Sequence, residues 1–88
     1  SKKGRLNRLK QMATESKTIV FYESPHKLLK LISKMEPIFG RNRKIAIVRE
    51  ISKLYESTFS GTLEEAKFYF EEKTPKGEFV IIVEGIND

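Results

Sequence analysis

Apolar positions along the chain follow two different periods, and the change of period marks its elements. Leu6, Leu9, Met12 and Ala13 recur at helical spacing in a stretch without proline, so residues 4–16 are read as a helix packing by one narrow stripe. Thr18 to Tyr22 is a short β-branched and aromatic run, a strand by composition. It stops at Glu23-Ser24-Pro25, where Ser24 can serve as an N-cap with Pro25 at the first helical position. Leu28, Leu29, Ile32 and Met35 then mark one face of a second helix. Pro37 and Gly40 are expected to end it before a basic loop, Arg41 to Lys44.

Ile45-Ala46-Ile47-Val48 is continuously apolar, as expected of a strand covered on both faces, and runs into Arg49-Glu50. Tyr55 to Ser60 alternates Tyr55, Ser57 and Phe59 against Glu56, Thr58 and Ser60, a half-exposed strand that can form a hairpin with its predecessor. Thr62 and Glu65 make a T-x-x-E capping box that opens a helix to about Lys73, with Leu63, Ala66 and Phe70 inward. A turn at Thr74 to Gly77 leads to Phe79–Val83, read like Ile45–Val48 as covered on both faces. The order α, then β-α-β-β-α-β, predicts an α/β (α+β) fold with helices packed on one face of a mixed or antiparallel sheet. If the strands flanking the second helix are parallel in one sheet, their carboxyl ends share an edge. Tyr22-Glu23-Ser24-Pro25-His26 then lies beside Arg49-Glu50, at the kind of edge where α/β folds bind ligands.

Composition narrows the function. A chain of 88 residues, 39% hydrophobic and 33% charged, allows one small globular domain and no two-domain enzyme with its own cofactor cleft. Its longest apolar run, Phe79 to Val83, is five residues, so no membrane span is expected. With no cysteine there are no disulfides, thiolate metal sites or cysteine nucleophiles. His26 is the single histidine and lacks a neighbouring ligand, so no metal site is expected, and the glycine spacing excludes the Rossmann and Walker loops. Lys2, Lys3, Arg5, Arg8 and Lys10 give five positive and no acidic residues in the first ten, which equals the whole net charge of +5. Such an arm attracts phosphate-rich partners. Ser1 in place of Met, with a helical pattern running by Leu6, reads as a piece of a longer polypeptide: a basic helical arm over 1–17 and a β-α-β-β-α-β body over 18–85.

Lys76-Gly77-Glu78-Phe79-Val80 raises a second reading, the RNA-recognition motif, with Tyr22, Tyr55 and Phe59 stacking on bases. Against it, the string falls on the fourth strand, not the third, and lacks the second aromatic. Aromatics at strand spacing are more often core.

Phe21-Tyr22-Glu23-Ser24-Pro25-His26, Val48-Arg49-Glu50-Ile51-Ser52-Lys53, Gly61-Thr62-Leu63, Pro75-Lys76-Gly77-Glu78-Phe79-Val80 and Val83-Glu84-Gly85 together carry a more specific resemblance. From Lys2 to Gly85 the chain is similar to the C-terminal domain of the ribosomal RNA small subunit methyltransferase I family, within the tetrapyrrole (corrin/porphyrin) methylase superfamily. Lys27, Ser52 and Tyr55 depart mildly from that pattern.

The resemblance implies S-adenosylmethionine-dependent methylation of a cytidine ribose 2′-hydroxyl in small-subunit ribosomal RNA by a cytoplasmic homodimer. The cofactor would bind between this domain and an N-terminal domain of the same protein, so the chain alone would be inactive. On these positions the implied cofactor contacts are Tyr22, Glu23, Ser24, Pro25 and Arg49. Glu23, His26 and Glu50 are the candidate general bases, and Lys2, Lys3, Arg5, Arg8 and Lys10 contact RNA. The alternatives are a methylase acting on a tetrapyrrole, or a non-catalytic RNA-binding split β-α-β module.

Overall fold

The computed structural model describes residues 2–52, 55–73 and 77–86, with the backbone alone for Lys2, Glu50, Ile51, Ser52, Tyr55 and Glu56. The elements are α1 (Lys2–Ala13), β1 (Ile19–Glu23), α2 (Pro25–Phe39), β2 (Lys44–Ser52), β3 (Tyr55–Thr62), α3 (Leu63–Glu71) and β4 (Glu78–Val83). The sheet order is β1-β4-β2-β3 and every neighbouring pair is antiparallel. The α+β reading holds, and the sheet is the antiparallel one. β1 and β2 run the same way with β4 between them, so their carboxyl ends share an edge without being neighbours.

Strand alternation sorts the sheet residues onto two faces. Phe79, Ile81 and Val83 of β4, with Ile45 and Ile47 of β2, are buried against Leu28, Ile32, Met35 and Phe39 of α2 and Leu63, Ala66 and Phe70 of α3. Leu9 and Ala13 join α1 to the same core. The opposite face carries Val20, Tyr22, Ala46, Val48, Val80 and Ile82, all half-buried or exposed. The expectation that β2 and β4 are covered on both faces is therefore corrected: the helices cover one face only, and the second apolar row lies open.

Local chemistry explains the element ends. The Thr62 hydroxyl accepts the Glu65 N–H at 3.2 Å while the Glu65 carboxylate accepts the Thr62 N–H at 2.9 Å, the reciprocal box that starts α3. Pro37, expected to stop α2, instead lies inside it, and the helix continues to Phe39. A proline this near the end deletes a single helical hydrogen bond, to the Ser33 carbonyl, and burial of Phe39 holds the last turn. Gly40 ends α2 at φ 95°, a conformation that favours glycine, and its N–H bonds the Glu36 carbonyl at 2.9 Å.

α1 is tied down at its carboxyl end. Arg43 donates from Nη2 to the Ala13 carbonyl at 2.7 Å and from Nη1 to the Glu84 carbonyl at 3.2 Å, with its guanidinium 5.2 Å from the Phe39 ring centroid. The Ile86 N–H bonds the Glu15 carbonyl at 2.8 Å, and beside it Gly85 passes so close to Ser16 that a Cβ would overlap the Ser16 carbonyl. Among the described residues no helix is long and apolar enough to cross a membrane.

Candidate functional site

The shared edge is where the sequence placed its ligand contacts. Strand register sets Tyr22, Val80, Val48 and Thr58 in one row across the open face, and Glu23, Phe79, Arg49 and Ser57 in the next row on the helix-covered face. Tyr22, Glu23, Ser24, Pro25, Val48, Glu78, Phe79 and Val80 line an open depression of about 550 Å³. Tyr22, Val48, Glu78 and Val80 come to it from the open face, Glu23 and Phe79 from the helix-covered row, and Ser24 and Pro25 from the β1–α2 junction. Tyr22 is 80% exposed, a high value for a large aromatic, and Val20 beside it is 51% exposed.

The junction differs from expectation in one respect. Ser24 occupies the N-cap of α2 with extended φ and ψ of −79° and 158°, but its side chain makes no capping bond. Its carbonyl instead accepts the Lys27 and Leu28 N–H groups at 3.1 Å, as an N-cap carbonyl does. The Ser24 N–H donates to Glu23 Oε1 at 2.9 Å. The Lys27 N–H at N3, which a capping hydroxyl would accept, goes to the Ser24 carbonyl, and Ser24 is among the residues that line the depression.

The depression gathers four of the five expected cofactor contacts: Tyr22, Glu23, Ser24 and Pro25. Arg49 sits apart, on the helix-covered side, in a recess of about 30 Å³ lined also by Ile47, Ser57, Thr58, Phe59, Tyr69, Phe70 and Lys73. Its Nε donates to Ser57 Oγ at 3.2 Å. Of the candidate bases, Glu23 lines the depression and His26 is exposed on the first turn of α2. The Glu50 backbone pairs with Glu78 and Glu56, and its side chain lies outside the described residues.

Val48, Glu78, Phe79 and Val80 complete the lining, and sequence reasoning missed them as site residues because β4 enters between β1 and β2 only in three dimensions. Their signal in the sequence was membership of the Val48–Lys53 and Pro75–Val80 strings.

For base stacking in the manner of an RNA-recognition motif, the open face would need aromatic residues on its central strands. Phe79 of β4 is 1% exposed and faces the helices. Phe59 packs into an aromatic group, with ring centroids 5.0 Å from Tyr69 and 6.0 Å from Phe70. Lys76 and the side chain of Tyr55 lie outside the described residues.

The basic arm is helical and exposed. Lys3, Arg5, Arg8 and Lys10 of α1 all face solvent, while the Lys2 side chain lies outside the described set.

No protein-family profile matches the chain. Individual curated proteins do match it. It is 40% identical over 77 residues to a ribosomal RNA small subunit methyltransferase I of Synechocystis sp., covering 88% of this chain and 28% of that protein. The protein of the same name from Halalkalibacterium halodurans is 46% identical over 84 residues, 96% of this chain and 29% of its own length. That of Bacillus subtilis is 39% identical over 87 residues, 99% and 30% respectively. The chain thus spans under a third of the length of these relatives. By sequence it belongs to the ribosomal RNA small subunit methyltransferase I family.

Proposed function

We propose that this chain is the C-terminal portion of an S-adenosylmethionine-dependent methyltransferase that modifies a cytidine ribose 2′-hydroxyl in small-subunit ribosomal RNA. The observation that carries the reading is the open depression at the shared strand edge. It has apolar groups at Val48 and Val80, an exposed ring at Tyr22, and polar groups at Glu23 and Ser24, a combination that fits a ligand with an aromatic base and hydroxyl or charged substituents. It is a wall, not a closed pocket, which agrees with a ligand held between this domain and another part of the polypeptide. When bound, the cofactor supplies the methyl group.

This chain's residues shape that wall and stand at the edge where a proton must be taken. A 2′-hydroxyl loses its proton as its oxygen accepts a methyl group, and Glu23, His26 and Glu50, together with Glu78 in the lining of the depression, are groups at this edge able to receive one. Exposed Lys3, Arg5, Arg8 and Lys10 of α1 supply phosphate contacts that position RNA without reading its sequence. The same reading takes the enzyme to be a cytoplasmic homodimer, as the family resemblance implies.

The test is transfer of labelled methyl from S-adenosylmethionine to small-subunit RNA, comparing this chain with a longer polypeptide that restores the preceding region. Transfer is expected only from the longer polypeptide, with the product resistant to alkaline cleavage at the modified cytidine. A folded, cofactor-bound longer polypeptide that transfers no methyl to RNA would overturn the proposal.

A further inference from the structure

Charge divides the chain more sharply than its first ten residues indicate. Residues 1–44 hold 12 Lys and Arg against three acidic residues, a charge of +9, while residues 45–88 hold five against nine, a charge of −4. In the fold this division separates the helices, because α1 and α2 belong to the first half and α3 to the second.

Lys27, Lys30 and Lys34 recur at i, i+3 and i+7 and form one stripe along α2, opposite the buried Leu28, Ile32, Met35 and Phe39. Lys27 and Lys30 are exposed and Lys34 is half-buried. Among the described residues none of the three takes part in an ion pair; the one pair there joins Arg41 and Glu64 at 3.9 Å. α1 packs beside α2, and Lys3, Arg5, Arg8 and Lys10 are exposed on it.

Helix physics makes this placement informative. The amino end of a helix is its positive pole and favours acidic side chains, and like charges three or four residues apart disfavour the helix. α3 follows the rule, with Glu64 and Glu65 in its first turn. α1 and α2 break it: neither has an acidic residue in its first turn, and both place cations there or just beyond. A bound polyanion relieves both conflicts at once.

We propose that α1 and α2 form one phosphate-binding surface for RNA, in which the Lys27-Lys30-Lys34 stripe carries a share of the contacts comparable with the α1 arm. The acidic α3, with Glu71 and Glu72 exposed, repels the backbone and confines the strand to the α1–α2 side. The inference rests on the reading of the chain as part of an RNA methyltransferase, but it assigns the contact to a helix that reading does not use.

Anisotropy titrations of a labelled single-stranded RNA with this 88-residue chain, repeated over a range of salt, test it. Each phosphate contact on a single strand contributes about −0.7 to the slope of log K against log salt. The triple variant K27Q/K30Q/K34Q should flatten the slope by about 2 and weaken binding on the order of 10- to 100-fold at 0.1 M salt. K27R/K30R/K34R should keep the wild-type slope, and E71Q/E72Q should tighten binding. Unfolding curves of each variant separate lost contacts from lost fold.

If K27Q/K30Q/K34Q keeps the wild-type slope while R5Q/R8Q flattens it, the α2 surface is overturned and RNA binding by α1 stands. A wild-type chain that binds RNA no better than a neutral protein does overturns the RNA reading itself. Binding to anionic vesicles in preference to RNA contradicts the choice of partner.

Discussion

The two faces of the sheet are built from neighbouring residues of the same strands, yet they do different work. In β4, Phe79, Ile81 and Val83 face the helices at 1%, 0% and 0% exposure, while the intervening Val80 and Ile82 stay half-buried on the open side. Burial of a large aliphatic side chain contributes roughly 1.5–3 kcal/mol, so the helix-covered row holds the fold together. The open row is as apolar but leaves much of that contribution unrealised. An apolar surface left uncovered beside the Tyr22 depression is the feature that supports the proposal of a ligand and further polypeptide on that side.

The sharpest way to break this comparison is to truncate adjacent residues. Ile81→Ala should cost about 3 kcal/mol, lowering the thermal midpoint by roughly 10–20 °C, whereas Ile82→Ala should cost under about 1 kcal/mol. Equal losses in unfolding curves would mean that the two faces are not distinct in the folded chain. A Cβ at Gly85 meets the Ser16 backbone, so Gly85→Ala should destabilise by about 2 kcal/mol through forced separation of the two segments. Thr62→Ala removes half of the α3 capping box and should cost about 1 kcal/mol by the same measurement. The smallest effect on stability is expected at Tyr22→Ala, within about 0.5 kcal/mol, because the ring it removes is 80% exposed.

Local signals in the sequence were enough for element order, the α3 capping box, the inward faces of α2 and α3 and the hairpin of β2 and β3. All of these depend on residues within a few positions of one another. By contrast, Leu6, expected on the packing stripe of α1, is 40% exposed. What the pattern misjudged depends on partners distant in sequence. Continuous apolar runs in β2 and β4 imply cover on both faces, but they cannot say whether the second cover belongs to this segment. Ser24 reads as a side-chain cap, but in the fold the Lys27 N–H goes to its carbonyl and its own N–H goes to Glu23. Arg43 reads as one more cation in a basic loop, yet its guanidinium joins the end of α1 to the end of β4, 30 and 41 residues away. The depression itself was half legible: Tyr22 to Pro25 stood out as a string, while Val48 and Val80 became part of it through the insertion of β4.

The central claim is that the open strand edge forms one wall of a cofactor site completed by polypeptide beyond this chain. Calorimetric titration of S-adenosylmethionine into the longer polypeptide, with and without Tyr22→Ala, tests it most directly. The account predicts that the variant keeps its unfolding midpoint and loses on the order of tenfold in cofactor affinity, about 1.4 kcal/mol. Wild-type affinity in a folded Tyr22→Ala protein would contradict it.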